Sequence, residues 1–206
     1  KFLEETLRSI EDQTFRDWQL IVINDGSSDS TETIIDRSKA RGFPVSYFYQ
    51  ENRGLGYSRN RALELSGGEY IAFIDHDDIW QPEKLERQVE IFERRGDIDF
   101  IYTNYFIQRG ERRSVAYKGS QPDGKVFDQF LRRYPVNVLT AAIRKDAVLG
   151  FEERFDAKLK LCEEYDLFMR LLYSAKAAYI EEPLAVYRIH PGRASTRFID
   201  GWPDEM

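Results

Sequence analysis

The sequence has 206 residues, of which 42% are hydrophobic and 32% are charged, so it can bury a core and is unlike a disordered or collagen-like chain. Its net charge of −6 excludes a domain-wide basic surface, and nucleic acid is therefore not an expected partner. The single cysteine, Cys162, excludes an internal disulfide, and no apolar run approaches the ~20 residues of a membrane span.

The first half of the sequence alternates helical patterns with short apolar runs. Apolar spacing predicts helices over 2–10, around Ile34 and Ile35, over 54–65 and from Pro82 onward. Apolar, β-branched runs predict strands over 18–24, 45–49, 70–74 and 99–107. This alternation predicts an α/β fold with a Rossmann-like, mainly parallel sheet flanked by helices. Because ligands of such sheets bind beyond the carboxyl ends of strands, the acidic turns at Asp25 and Asp75 are the first functional clue.

The second half is less regular. Residues 108–124 predict a loop or a short hairpin, 138–143 a strand and 163–173 a helix, and two short strands are predicted over 177–180 and 184–189 around Pro183. No linker separates these elements from the first half, so we expect a single domain over 1–206.

The most acidic of the turns contains Asp75, Asp77 and Asp78 and follows a strongly apolar strand. Carboxylates this close repel one another unless a cation or solvent relieves them, and their oxygens suit Mn²⁺ or Mg²⁺. The alternative is a solvated loop that caps the next helix, which is the commoner meaning of a lone Asp-x-Asp. The position directly after a buried strand favours the metal.

Two further motifs fit the same chemistry. Residues 24–31 offer a tight glycine turn, hydroxyls and a helix start to an anion or a nucleoside, although an ordinary turn with an N-cap has the same pattern. Residues 162–170 place acidic side chains at the start of a helix, where the helix dipole favours them even without a catalytic role. In isolation, neither motif distinguishes a functional role from an ordinary structural one.

Together these motifs resemble, in their order along the chain, the inverting, metal-dependent family 2 glycosyltransferases of GT-A fold. The matching segments are Asp25-Gly-Ser-Ser-Asp-Ser-Thr31, Asn52-Arg-Gly-Leu-Gly-Tyr-Ser-Arg-Asn60, Asp75-His-Asp-Asp78 with Pro82 beyond it, Glu163-Glu-Tyr-Asp-Leu167 and Tyr187-Arg-Ile-His190. Each motif is weak alone, whereas their joint order is specific and covers nearly the whole chain. The resemblance implies transfer of a sugar from a nucleotide-sugar to an acceptor hydroxyl.

The resemblance also implies roles for individual residues on the donor side. Asp25 would contact the nucleobase, Asp75 the ribose or the metal shell, and Asp77 the metal that bridges the diphosphate. His190 would reach the metal or the phosphates, and a structural histidine with a satisfied ring fits the sequence equally well. The implied nucleotide-binding residues are Asp25, Ser27, Asp29, Arg59, Asp75 and His76, and the implied ligands of Mn²⁺ or Mg²⁺ are Asp77, Asp75 and His190.

A general base is implied as well. The acceptor hydroxyl must lose its proton as it attacks the anomeric carbon, and a carboxylate within hydrogen-bond reach can accept that proton. The family has an aspartate at the position of Glu164, so this sequence departs from the family pattern by one methylene. We expect Glu164 to be the base, with Glu163 and Asp166 orienting it or binding the acceptor.

The implied donor is usually UDP-linked, and the implied acceptor is a carbohydrate or a lipid-linked sugar in the synthesis of a cell-envelope polysaccharide or glycolipid. Residues 1–107 would bind the nucleotide-sugar and 108–206 the acceptor. The expected location is the cytoplasm, and peripheral contact with the inner face of the membrane is left open, as is the oligomeric state. A nucleotidyltransferase, a glycosidase and a catalytically impaired sugar-nucleotide-binding domain are the alternatives, the last favoured only by the departure at Glu164.

The start of the sequence departs from the family in a second way. Family members begin with an apolar strand ahead of the first helix, whereas residues 1–10 here already have a helical pattern. In the GT-A sheet that strand lies beside the one that ends at Asp75. We therefore expect a vacant position between the strands that end at Asn24 and Ile74, with unpaired backbone groups and a gap in the core.

Overall fold

The computed structural model describes residues 2–193. The helices are α1 (Leu3–Glu11), α2 (Thr31–Ala40), α3 (Leu55–Leu65), α4 (Lys84–Arg94), α5 (Phe127–Arg132), α6 (Asp146–Leu149) and α7 (Glu163–Leu172), with a 3-10 turn over Val138–Thr140. The strands are β1 (Leu20–Asp25), β2 (Val45–Gln50), β3 (Tyr70–Ala72), β4 (Ile79–Trp80), β5 (Phe100–Arg109), β6 (Arg112–Val115), β7 (Ala142–Arg144) and β8 (Ala177–Ile189). None of these helices has the length and apolar content needed to cross a lipid bilayer.

The helices form where apolar residues recur at helical spacing. In α1, Leu7 and Ile10 are buried, and two acidic residues occupy the first turn, where the helix dipole favours them. In α7, the apolar side chains turn inward, with Leu167 and Phe168 fully buried, while the acidic first turn remains at the edge of the core. The sequence of α7 therefore places its negative charge at the N-terminal end of the helix.

The strands form two separate sheets, and the larger one is mixed. Strands β1 and β2 pair in parallel. The second sheet has the order β3-β7-β5-β8-β4, with β6 added to β5, and within it only the β5–β8 pairing is parallel. The expectation of a mainly parallel sheet is therefore wrong. Periodicity identifies a strand but not its partner, and β7 inserts between β3 and β5 antiparallel to both.

Two local predictions in the second half change, and a third is confirmed. The two short strands expected around Pro183 are one continuous strand, β8, in which Pro183 lies opposite Asn104 at an irregularity of the pairing. That irregularity accommodates a residue that has no N–H to donate. The strand expected over 138–143 is instead a 3-10 turn followed by the short strand β7. Residues 108–124 do contain the return strand of a hairpin, β6.

A cleft of about 1040 Å³ separates β1 from β3. Residues 19–23 lie on one side and 70–75 on the other, and apolar side chains of α1, including Leu3, Leu7 and Ile10, complete the wall. No backbone pairing joins β1 to β3 within residues 2–193. The indole nitrogen of Trp18 is buried beside this cleft without a hydrogen-bond partner among the described residues. A vacant strand position would leave such a gap, and the strand itself stays a prediction.

Candidate functional site

Three carboxylates converge in the turn between β3 and β4. Oxygens of Asp75, Asp77 and Asp78 lie within 4.8 Å of one another. Asp77 and Asp78 are buried, whereas Asp75 is partly exposed. Three negative charges this close need cations around them, because burial removes the water that would otherwise screen their repulsion.

The innermost carboxylate, Asp78, is held by the end of β8 and the segment after it. Arg193 donates from Nη1 to Oδ1 and from Nη2 to Oδ2, each at 2.9 Å, and the backbone N–H of Arg188 donates to Oδ1 at 3.0 Å. Burial raises the pKa of Asp78 to about 6, and the guanidinium of Arg193 opposes that rise. This paired arrangement makes Asp78 an anchor within the turn.

Asp77 is also held by the segment that follows β8. Its Oδ2 lies 2.9 Å from Nε2 of His190 and 3.2 Å from Nη1 of Arg193. The Arg188 side chain donates to the backbone carbonyl of Asp77 and pairs with Glu5 on α1. The structure therefore joins the acidic turn, the first helix and the end of β8 in one network of charged groups.

Arg59, on α3, connects the acidic turn with the start of α7. Its Nη2 lies 3.2 Å from Oδ1 of Asp75, and its Nη1 contacts Glu163 and lies 3.4 Å from Oε2 of Glu164. Burial lowers the pKa of Arg59, but the three carboxylates together raise it above its ordinary value, so the guanidinium stays charged. One side chain thereby spans the distance between the two acidic motifs.

The acidic residues of α7 face different surroundings. The Glu163 side chain is 2% exposed, and burial raises its pKa to about 7, with the Glu164 charge acting in the same direction and Arg59 opposing both. The Glu164 side chain is 29% exposed and borders the same guanidinium. Asp166 instead pairs with Arg170 one turn further along α7, at 2.7 Å. The structure therefore brings Glu163 and Glu164 to Arg59 and directs Asp166 toward Arg170.

Asp25, at the end of β1, shapes the loop before α3. Its Oδ1 accepts from the side chain of Gln50 at 2.7 Å and the N–H of Arg53 at 2.8 Å, and its Oδ2 accepts from the N–H of Gly54 at 2.8 Å. The next residue, Gly26, has a φ of 83°, and a Cβ there would lie 2.9 Å from the backbone nitrogen of Asn52. These contacts fix the turn and leave one side of the Oδ2 oxygen available to a ligand.

The remaining predicted nucleotide-binding residues are not joined to the acidic turn by contacts of their side chains. The N–H of Ser27 donates to the Asn24 side chain at 2.8 Å, and the Asp29 carboxylate accepts from both the N–H and the hydroxyl of Thr31 at the start of α2. His76 is exposed, and its backbone carbonyl accepts from Thr6 at 2.9 Å. Within residues 2–193, the hydrogen bonds of Ser27 and Asp29 that are described above stabilise the turn between β1 and α2.

Two arginines of the site carried no role in the sequence interpretation. Arg188 lies inside the Tyr-Arg-x-His motif, which drew attention to the histidine and not to the arginine. Arg193 follows His190 by three residues and belongs to no motif, so its contact with all three aspartates depends on how the chain turns after β8. No sequence signal identifies it.

The acidic turn fits a divalent cation by the chemistry of its donors. Carboxylate oxygens that converge within 4.8 Å are the ligands that Mn²⁺ and Mg²⁺ prefer. Asp78 is fully buried and paired at both oxygens, whereas Asp75 is partly exposed and Asp77 is buried with its Oδ2 oxygen beside His190 and Arg193. The residues present are therefore compatible with the metal that the sequence predicts.

Comparison with known proteins identifies the family and agrees with the fold. The model of the family described as "Glycosyl transferase family 2" matches residues 1–148. This chain belongs to glycosyltransferase family 2, an inverting family that uses nucleotide sugars.

Two relatives have names that describe a role. The putative teichuronic acid biosynthesis glycosyltransferase TuaG of Bacillus subtilis is 28% identical over 190 residues, which cover 91% of this chain and 74% of TuaG. The UDP-Glc:alpha-D-GlcNAc-diphosphoundecaprenol beta-1,3-glucosyltransferase WfgD of Escherichia coli is 30% identical over 171 residues, which cover 82% of this chain and 64% of WfgD.

Two solved structures have a similar fold. TarS 1-349 of S. aureus in complex with UDP superposes with a TM-score of 0.77 and 20% identity, over 92% of this chain and 57% of that one. The mannosyltransferase PcManGT of Pyrobaculum calidifontis in complex with GDP-Man and Mn²⁺ superposes with a TM-score of 0.69 and 18% identity, over 94% of this chain and 54% of that one. The chain is thus structurally like GT-A glycosyltransferases and spans about half to three quarters of the length of these four proteins.

Proposed function

We propose that this chain transfers a sugar from a UDP-sugar to an acceptor hydroxyl with inversion at the anomeric carbon. The observation that carries the proposal is the position of Arg59, which contacts Asp75 of the acidic turn and both glutamates at the start of α7. A donor group bound at the acidic turn and a base on α7 would therefore lie on opposite sides of one guanidinium. This arrangement is compatible with inverting transfer, in which the nucleophile and the leaving group occupy opposite faces of the sugar.

On the donor side, Asp25 would hold the nucleobase through the free side of its Oδ2 oxygen, with Ser27 and Asp29 forming the adjoining turn. Asp75 and Asp77 would hold Mn²⁺ or Mg²⁺, and the bound metal would neutralise charge on the diphosphate leaving group. His190 contacts Asp77 at 2.9 Å and would orient that carboxylate. His76 is exposed beside the turn and would reach the nucleotide only from the solvent side.

On the acceptor side, Glu164 would remove the proton from the attacking hydroxyl. Its carboxylate is partly exposed, so an acceptor can approach it, whereas Glu163 is buried against Arg59 and would hold the guanidinium in place. Asp166 would act on the outer side of α7, through Arg170, rather than at the reacting atoms. We assign donor binding to residues 1–107 and acceptor binding to 108–206, within one domain.

The class of acceptor follows by analogy with the relatives. The name of WfgD describes a diphosphoundecaprenol-linked acceptor, and that of TuaG describes teichuronic acid biosynthesis. A lipid-linked sugar acceptor in the synthesis of a cell-envelope polysaccharide is therefore our proposal for this chain, at the cytoplasmic face of the membrane. The UDP-Glc donor in the name of WfgD supports the proposed uridine nucleotide.

The experiment that tests the function measures release of nucleoside diphosphate. The protein is incubated with Mn²⁺, a panel of UDP- and GDP-sugars, and diphospholipid-linked acceptors. We expect release of UDP from one UDP-sugar that requires both metal and acceptor. Binding of UDP-sugars without release across the acceptors would support a catalytically impaired binding domain instead, and release of pyrophosphate from a nucleoside triphosphate and a sugar phosphate would support a nucleotidyltransferase.

A further inference from the structure

The guanidinium of Arg193 lies against all three carboxylates of the acidic turn. Its Nη2 is 2.9 Å from Oδ2 of Asp78 and 3.8 Å from Oδ2 of Asp75, and its Nη1 is 3.2 Å from Oδ2 of Asp77. The side chain is 8% exposed, so water does little to screen these contacts. Arg193 is therefore a buried cation that lies against every carboxylate of the acidic turn.

Further contacts hold Arg193 in this position. Its Nη1 also donates to the backbone carbonyl of Arg188 at 3.1 Å, and its guanidinium packs over the ring of Tyr187 at 3.9 Å from the ring centre. The two hydrogen bonds to Asp78 form a bidentate pair, which is the strongest geometry for an arginine and a carboxylate. The contacts with Asp75 at 3.8 Å and Asp77 at 3.2 Å are longer than the two 2.9 Å bonds to Asp78, so Asp78 is the carboxylate that Arg193 holds most closely.

A divalent cation and Arg193 require the same oxygens. A metal on the turn would take carboxylate oxygens of Asp75 and Asp77 as its ligands. Oδ2 of each of these residues now faces the guanidinium. Two cations within ~5 Å in a largely dry site repel each other by enough to lower metal affinity at least tenfold.

We propose that Arg193 acts as an internal counter-cation that competes with the metal for Asp75 and Asp77, and that a nucleoside diphosphate relieves this competition. The diphosphate brings negative charge next to the metal, and Arg193 can then pair with a phosphate oxygen instead of the two aspartates. Metal and nucleotide therefore bind with positive coupling, each raising the affinity for the other by the same factor. This inference rests on the proposed function, because it takes the acidic turn as the metal site.

The test measures binding of Mn²⁺ by the electron paramagnetic resonance of the free ion, with and without UDP. Arg193→Gln removes the charge, Arg193→Lys keeps it, and Arg95→Gln removes an equal charge from an exposed ion pair with Asp123 as the matched control. We expect Arg193→Gln to bind Mn²⁺ alone at least about tenfold more tightly than wild type. We further expect UDP to increase Mn²⁺ affinity much less in Arg193→Gln than in wild type, with Arg193→Lys between these two and Arg95→Gln close to wild type.

Equal Mn²⁺ affinity of Arg193→Gln and Arg95→Gln would overturn the inference while leaving the proposed function intact, because wild type would still bind Mn²⁺ with UDP. Absence of Mn²⁺ binding from every variant, with and without UDP, would overturn both. If Arg193→Gln does not fold, nuclear magnetic resonance of arginine side chains in wild type decides. The Arg193 signal, assigned by its loss in Arg193→Lys, should shift on addition of Mg²⁺, and an unchanged signal in the metal-bound protein would contradict the competition.

Discussion

The guanidinium of Arg59 contacts the Glu163 carboxylate at the first residue of α7 while its other terminal nitrogen lies 3.2 Å from Asp75. The Arg59 and Glu163 side chains are almost completely buried, at 12% and 2% exposure. The pair therefore links α3 to α7 and holds the two acidic motifs of the site at a fixed separation. The geometry of the Arg59–Glu163 pair determines where a base on α7 lies relative to the acidic turn.

Removal of one partner of this buried pair should cost more than removal of both charges. We expect Arg59→Met to lower the free energy of unfolding by about 3 kcal/mol, because it leaves Glu163 buried without its cation. Adding Glu163→Gln to Arg59→Met should recover part of that loss without restoring transfer activity. Urea unfolding of the single and double variants measures this coupling, and additive losses would show that the two side chains act independently.

The Glu164 carboxylate should be required for turnover but not for donor binding. We expect Glu164→Gln to lower kcat roughly 100- to 10,000-fold, the range typical of a lost general base, with UDP affinity unchanged. Glu164→Asp should retain more activity than Glu164→Gln because it keeps a carboxylate. Glu181→Gln, which changes an exposed acidic residue of β8, is the matched control. A Glu164→Gln protein that transfers sugar at the wild-type rate would remove Glu164 from this role.

Lys84 should make folding stability depend on pH. Its ammonium is fully buried, 2.7 Å from the Gln88 side-chain oxygen and 4.3 Å from the ring centre of Trp80, and burial lowers its pKa to about 7. Above that pKa the folded protein carries neutral Lys84, whereas the unfolded chain keeps a proton there up to about pH 10.4. The unfolded state therefore binds more protons in this window, and stability rises with pH.

We expect the free energy of unfolding to increase between pH 7 and 9 by up to about 1.4 kcal/mol per pH unit relative to Lys84→Met, which lacks the titrating group. Lys176→Met, at an exposed ion pair with Asp97, serves as the control and should keep the wild-type slope. Chemical denaturation at a series of pH values measures the difference. Parallel stability curves for wild type and Lys84→Met would show that the folded protein keeps Lys84 charged throughout this range.

The cleft between β1 and β3 should accept one additional strand. We predict that an apolar strand of about six residues, fused ahead of Lys1, pairs with both edges and raises the free energy of unfolding by at least about 2 kcal/mol, since each buried Val or Ile contributes ~1.5–3 kcal/mol. The start of α1 lies beside the turn after β3, where Thr6 donates to the carbonyls of His76 and Asp78. A strand that runs toward α1 would therefore end at the site.

Hydrogen exchange of the β1 and β3 amides, together with unfolding by denaturant, measures the effect. A Gly-Ser segment of equal length is the control and should change neither. Equal stabilisation by both segments, or unchanged exchange of β1 and β3 with the apolar segment, would show that the cleft does not take a strand.

Local patterns predict the five longer helices together with β1 and β2, because the spacing of residues such as Leu7 and Ile10 reflects which face an element buries. The short helices α5 and α6 were not predicted. Local patterns could not predict the mixed sheet. The antiparallel position of β7 depends on pairing between residues that are distant in sequence, such as Ile143 and Phe100. The order of the acidic motifs along the sequence indicated the candidate site residues. The contacts of Arg193 depend on the path of the chain after β8 and leave no trace in residue spacing.

The stereochemistry of transfer tests the central claim most directly. The protein is supplied with Mn²⁺, a UDP-sugar of defined α configuration and the acceptor that supports UDP release, and the anomeric configuration of the first product is read by proton nuclear magnetic resonance. We predict a β-linked product from wild type and its near absence with Glu164→Gln. An α-linked product, or equal formation of the β-linked product by Glu164→Gln, would contradict inverting transfer with Glu164 as the base.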